Sequence, residues 1–260
     1  MPSWRVHRTV LSQALREVSE ELGALGERFV KGLYKGVVEP DKVSDKAVKI
    51  RVRITRSGRV RVRSYRGYAK HHTVDESLIE YYYNLALYHA RRRNAFLSGV
   101  ALGRAIHYAQ DGSVETKRFP VLNVHDRVEE EIEEAIKSFG GDVWKLCRST
   151  KLGREASTQG LEALCVAYEK TSRLLKNFFT ELAEPVDVKE LRRKVRMIRI
   201  AKIWIAVTVA IVAVATVGVS GLVIAIPICI ATALYRPKTY YEAMKAGLMV
   251  LKPYSFEPAY

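Results

Sequence analysis

Cysteine is scarce in this chain: three among 260 residues, at Cys147, Cys165 and Cys229. Their wide spacing matches no cysteine-based zinc motif, and an odd number with Cys229 inside an apolar run argues against a disulfide framework. They read as reduced packing residues in a cytosolic setting. The opening residues Met1-Pro2-Ser3-Trp4-Arg5-Val6-His7 lack the apolar core of a secretion signal, so the soluble part is expected to stay in the cytoplasm. Internal repeats are absent, and the single low-complexity tract is an apolar run near the C-terminus. Acidic residues are also few, 28 against 43 Lys and Arg, which leaves a formal net charge of +15. That excess points to anionic partners, either nucleic acid or acidic lipid headgroups, and does not choose between them. Part of it is the solvated Lys and Arg common on thermophile surfaces. The length suffices for one sizeable domain plus an anchor.

Charge is missing altogether from Ile203 to Tyr235, 33 consecutive positions. A bilayer core is about 30 Å thick and takes roughly 20 helical residues, so one straight helix of this length is too long. Gly218, Ser220 and Gly221 lie mid-run, with Pro227 beyond. Two arrangements follow: a helical hairpin turning near Gly218 to Gly221, or one spanning helix that breaks before Pro227. Lys189, Arg192, Arg193, Lys194, Arg196, Arg199 and Lys202 precede the run, and Arg236, Lys238 and Lys245 follow it. Basic flanks stay inside, which favours the hairpin with both ends cytoplasmic. Its halves are short for a full crossing, so flanking Arg and Lys must snorkel.

What is there ahead of the anchor is mostly helical periodicity. Val10, Leu11, Leu15, Val18, Leu22, Leu25 and Phe29 carry it over residues 7 to 34, after which Gly32, Gly36 and Pro40 mark a loop. Residues 47–65 switch to period two: Val48, Ile50, Val52 and Ile54, then Val60 and Val62 after Ser57-Gly58, alternate with six cations. This predicts a β-hairpin with an aliphatic and a cationic face. Helical spacing resumes from Asp75 to Asp111 with a break near Arg93-Asn94, from Asn123 to Phe139, and from Ala156 to Ala183. The predicted fold is mainly α: a helical bundle over residues 1–184 with the inserted basic hairpin, a basic juxtamembrane helix at 185–202, the membrane segment at 203–235, and a basic tail at 236–260.

Two helical pairs carry metal-binding chemistry. His107 and Asp111 are four apart in Gly-Arg-Ala-Ile-His-Tyr-Ala-Gln-Asp, and His125 and Glu129 are four apart in His-Asp-Arg-Val-Glu. Each pair shares a helix face, the way bundles build inward-facing sites, although a lone pair of this kind is more often a surface salt bridge. Imidazole with carboxylate suits zinc and related divalent ions. Upstream stand His7, Asp41 and the doublet His71-His72; His89 is assigned to the helix surface or core.

The order His, Asp, His, His-xxx-Asp, His-xxx-Glu resembles the zinc-dependent phospholipase C family and its relatives, the fungal single-strand nucleases, over about residues 4–135. The resemblance implies a helical domain with a zinc cluster that hydrolyses phosphate esters. It maps His7 onto the early-helix histidine, Asp41 onto the loop aspartate, and His71 or His72 onto the next histidine. His107 and Asp111 take the place of the central pair, whose aspartate bridges two metals, and His125 and Glu129 that of the last pair. Two departures stand out. Trp4 is internal where the family uses the amine of an N-terminal Trp, and Lys117 stands where the family has a further histidine. One or two Zn2+ ions are therefore expected rather than a full cluster of three. Asp41 is placed as general base beside the attacking water. Membrane lipids with anionic headgroups are the expected partner and substrate. The alternatives are a nuclease on the same fold and a non-enzymatic membrane protein with a degenerate metal site.

Overall fold

Helix-forming runs dominate, and the break points decide where each helix stops. The computed structural model describes residues 4–23, 25–43, 46–54, 60–68, 76–114, 124–138, 142–148, 159–251 and 256–257. The first amphipathic stretch is not one helix. It divides into α1 (Trp4–Arg16), α2 (Ser19–Leu22) and α3 (Gly26–Gly36), followed by the short α4 (Glu39–Lys42). Gly26 opens α3 at φ +72°, a left-handed backbone that glycine adopts without strain.

The expectation that Gly32 and Gly36 mark a loop is corrected. Both lie inside α3, which runs to Gly36, and Pro40 sits in the first turn of α4. The reason is a helix crossing. A Cβ on Gly36 would stand 2.1 Å from the Val100 carbonyl oxygen, and one on Gly32 2.3 Å from that of Phe96. Their partners Gly99 and Gly103 are equally closed, against the Phe29 and Leu33 carbonyls. Glycines four apart on both helices bring the two backbones into direct contact, the arrangement small residues permit.

The basic hairpin forms as β1 (Lys46–Ile54) and β2 (Val60–Tyr68), antiparallel. Its register sets Arg51 opposite Arg63 and Arg53 opposite Arg61. Next come α5 (Glu76–Arg91) and α6 (Ala95–Asp111). The Asn94 side chain accepts a hydrogen bond from the Leu97 N–H at 3.2 Å, capping α6 at the predicted break. Then follow α7 (Val124–Ser138), α8 (Val143–Arg148) and α9 (Gly160–Ala183). Phe29 stacks on Phe178 of α9 at 5.5 Å in the core between α3 and α9.

The reading of the cysteines is also corrected. Cys147 on α8 and Cys165 on α9 form a disulfide, with Cα atoms 5.1 Å apart; Cys229 is free. The short helix α8, which no apolar pattern announced, lays Cys147 against α9. Disulfides persist in oxidising compartments and inside hyperthermophile cells, so cysteine usage no longer supports a reducing cytosol for this chain. The bonded cysteines are 18 residues apart in sequence. Replacing both by alanine is expected to cost about 3 kcal/mol by loop-closure entropy. Thermal unfolding of the variant and of the reduced wild type should then coincide below the oxidised protein; equal melting with and without reductant would discard the bond.

The chain divides into two units, Met1–Glu184 with Lys252–Tyr260, and Pro185–Leu251. In the second, α10 (Val188–Val217) continues from the basic segment without interruption, capped by the Asp187 carboxylate on the Lys189 and Glu190 N–H groups. A 3-10 turn at Gly218–Gly221 reverses the chain into α11 (Leu222–Leu234), which packs back on α10. Of the two arrangements read from the sequence, this is the hairpin. The stretch Val188–Gly221 is long and apolar enough to cross a membrane. Helix α12 (Lys238–Lys245) follows, and β3 (Phe256–Glu257) pairs with β1 in the first unit.

Candidate metal centre

Helix α6 carries the centre. His107 and Asp111 lie one turn apart, and the His107 Nε2 atom is 3.1 Å from Asp111 Oδ2. Helix α1 brings His7 from the other side, its Nε2 3.5 Å from Asp111 Oδ1. The two imidazole rings approach to 4.4 Å between centroids. Helix α4 brings Asp41, with Oδ1 3.7 Å from His107 Nε2. The crossing of α3 and α6 through their glycines makes this possible, because it places the end of α3 and all of α4 against the buried face of α6.

Each imidazole is held by its other nitrogen. The His107 Nδ1–H donates to the Val37 carbonyl at 3.0 Å. The tautomer of His7 is set by a chain of bonds. The Thr171 hydroxyl donates to the Ala167 carbonyl at 2.7 Å, so it accepts from the Gln110 amide N–H at 2.9 Å. That orientation leaves the Gln110 Oε1 atom facing His7 Nδ1 at 2.5 Å, and Nδ1 must carry the proton. In its neutral form each ring therefore presents a lone pair at Nε2. Neither Nε2 has an assigned hydrogen-bond partner among the described residues, and both face the Asp111 carboxylate at ion-pair distance.

Two buried, unpartnered nitrogens are costly unless something occupies the space between them. One atom each from His7, His107 and Asp111 falls within 4.8 Å of the others, so the group can hold a metal ion. Four ligands at zinc–nitrogen and zinc–oxygen lengths, arranged tetrahedrally, stand about 3.3 Å apart. The contacts of Asp111 with His107, 3.1 Å through Oδ2, and with His7, 3.5 Å through Oδ1, are of that order. The ring tautomers match as well, because metal-bound histidines characteristically donate their second N–H to a carbonyl or carboxylate. The residues fit a metal ion that accepts imidazole and carboxylate donors.

Burial shapes the electrostatics. His7 is 1 % exposed and His107 fully enclosed. Burial, and then the neighbouring His107, hold the His7 imidazole below its ordinary range, so it stays a neutral donor. Burial pulls His107 down too, but the Asp111 carboxylate outweighs it, with Asp41 assisting, and the net shift is upward. A proton and a divalent ion compete for the same His107 lone pair.

Of the predicted ligands, His7, Asp41, His107 and Asp111 converge. His71 and His72 lie outside the described residues. His125 and Glu129 belong to α7, and their side chains lie outside the described residues as well. His89 stands apart on α5, beside a cavity of about 260 Å³ that Tyr82 and Arg104 also line.

Sequence reading missed four contributors: Gln110, Thr171, the Val37 carbonyl, and the ion pair of Arg104 with Glu39. Arg104 is buried, and its guanidinium bonds the Glu39 carboxylate at 3.0 and 3.1 Å and the Tyr82 hydroxyl at 2.8 Å. Glu39 opens α4, so this pair holds the helix that carries Asp41. Spacing offered a signal for two of these, since Arg104 and Gln110 each sit three residues from His107 on the same helix. Comparison of the chain with family models, with curated proteins and with solved structures finds no match.

Proposed function

We propose that the protein is a membrane-anchored, metal-dependent hydrolase of phosphoric esters, acting on phospholipid headgroups. One observation carries the reading: two buried imidazoles, each locked by a carbonyl acceptor at Nδ1, aim unpartnered Nε2 atoms at one point beside Asp111. The likeness in ligand order to the zinc-dependent phospholipase C family supplies the reaction class. The exposed apolar hairpin of α10 and α11 supplies the location. The formal net charge of +15 supports an anionic partner.

A divalent ion bound there supplies Lewis acidity toward a phosphoryl oxygen and acidifies water to a pKa of about 7. The protein's own groups do the rest. His7, His107 and Asp111 are the residues that would hold the ion. Asp41 is the most open of the four, with its side chain 17 % exposed, and it stands next to the same point. It takes the proton of the attacking water. The Arg104–Glu39 pair keeps Asp41 in reach.

Burial favours one second reading. Closed sites are structural, whereas catalytic sites keep an open position. The expected result for the purified full chain is at least one zinc per protein by elemental analysis. Hydrolysis of a chromogenic phosphodiester and headgroup release from phospholipid vesicles should accompany it. Zinc without hydrolysis leaves a structural centre. Faster release from single-stranded DNA than from lipid makes the chain a nuclease. No metal ends the proposal.

A further inference from the structure

We propose that the α10–α11 hairpin is a wedge entering the bilayer from one face, its tip resting within the hydrocarbon rather than emerging on the far side. This rests on the membrane-anchored reading above and adds the depth and sidedness of the anchor. Both arms are short. The last charge on α10 is Lys202, which leaves residues 203–217 as the apolar arm, about 22 Å at 1.5 Å per residue. Helix α11 has 13 residues, about 20 Å. Both fall short of a hydrocarbon core about 30 Å thick.

The two ends of the hairpin also differ in chemistry. Crossing segments are enriched in Trp and Tyr at both membrane–water interfaces, with Lys and Arg concentrated on one side. Here the aromatic residues are confined to the base. Trp204 and Tyr235 are each 66 % exposed. The Lys202 ammonium donates to the Tyr235 carbonyl and lies 5.2 Å from the Tyr240 ring centroid, tying the two arms at one level. Seven Lys and Arg residues line α10 from Lys189 to Lys202, against the single acid Glu190. They match an anionic headgroup layer on the side of entry. The tip, Val217-Gly218-Val219-Ser220-Gly221, has neither charge nor aromatic ring, and Val219 is 78 % exposed.

The Gly218 N–H and the Ser220 hydroxyl find partners within the turn. Irregular backbone facing lipid is costly because nothing there accepts its hydrogen bonds. The reversal is helical in character. The Gly218 N–H donates to the Val214 carbonyl, the 3-10 turn carries the chain to α11, and the Ser220 hydroxyl donates to the Val217 carbonyl at 2.8 Å. Gly218 takes φ +71°, and Gly221 lets the arms touch, because a Cβ there would stand 2.1 Å from the Ala213 carbonyl oxygen.

Cysteine labelling in vesicles tests the wedge. The full chain, with Cys229→Ala as background, carries either Val219→Cys at the tip or Lys238→Cys beyond the base. Each variant is reconstituted into phosphatidylcholine–phosphatidylglycerol vesicles. A membrane-impermeant maleimide is then supplied outside, inside, or on both faces. Lys238→Cys should label at once from one face. Val219→Cys should stay unlabelled with reagent on both faces and react only after detergent. Labelling of Val219→Cys from the face opposite Lys238→Cys overturns the wedge and leaves a membrane-crossing anchor. Labelling of both from the same face means that the hairpin is not in the bilayer, and the anchored reading falls with it.

Discussion

Replacing His107 by alanine is expected to abolish stoichiometric zinc binding, and with it any phosphodiester hydrolysis. His107 is fully buried and stands between both carboxylates of the centre, 3.1 Å from Asp111 and 3.7 Å from Asp41. Removing it leaves one imidazole and no nitrogen donor on the α6 side. Asp111→Asn should behave alike, since it removes the charge both rings face. Gln110→Ala is the graded case. It keeps all ligands and deletes only the acceptor that fixes the His7 tautomer, so zinc affinity should fall about 10- to 100-fold, the usual effect of losing such a partner. Elemental analysis and competitive titration with a chelating dye measure the series, and circular dichroism separates lost metal from lost fold. Acid should act in the same direction. Protons compete with the metal for the imidazole lone pairs, so zinc affinity should fall as the pH is lowered, with the upward-shifted His107 the stronger proton competitor and the downward-shifted His7 the weaker. Unchanged zinc content in His107→Ala would sink the centre as described.

The second large effect is expected at the glycine crossing. Gly36→Val adds side-chain atoms where even a Cβ would stand 2.1 Å from the Val100 carbonyl oxygen, with the rest of the Val100 backbone close behind. Neither backbone can yield locally, so α3 and α6 must separate along their length. We expect a loss of about 3 kcal/mol or more, at the severe end for overpacking. Gly99→Val should match it, because its own Cβ would meet the Phe29 carbonyl at 2.1 Å. Gly23→Ala is the control: its nearest neighbour is 3.5 Å away, an ordinary contact, and stability should change by only about 0.5 kcal/mol. Thermal unfolding reads the energies. Zinc content reads the coupling, because the bond from His107 to the Val37 carbonyl depends on the same crossing. A stable Gly36→Val protein with its zinc intact would contradict the crossing.

Much of the architecture was legible because it is local. The break between α5 and α6 follows from Asn94, whose side chain caps the next helix. The β-hairpin follows from strict alternation, and α9 from helical spacing that ends before Pro185. His107 and Asp111 share a face because a helix turns once in about 3.6 residues. The tail of the chain is less simple than its composition suggests, since Phe256–Glu257 returns to pair with β1.

Other features depend on partners distant in sequence, and no local pattern contains them. Gly32 and Gly36 look like a helix end by composition, but they are helix interior because α6 presents Gly99 and Gly103 to them. Cys147 and Cys165 look unpaired by count, but the unpredicted α8 brings them together. Residue order alone implied a mainly helical chain with a basic β-hairpin, one charge-free run, and a histidine and aspartate on one helix face. Packing between distant helices was needed to bring His7 from α1 to that aspartate, and to select its tautomer through Gln110 and Thr171. Helix periodicity is set by neighbours a turn away, whereas convergence is set by how closely two backbones can approach, and here that depends on four missing side chains.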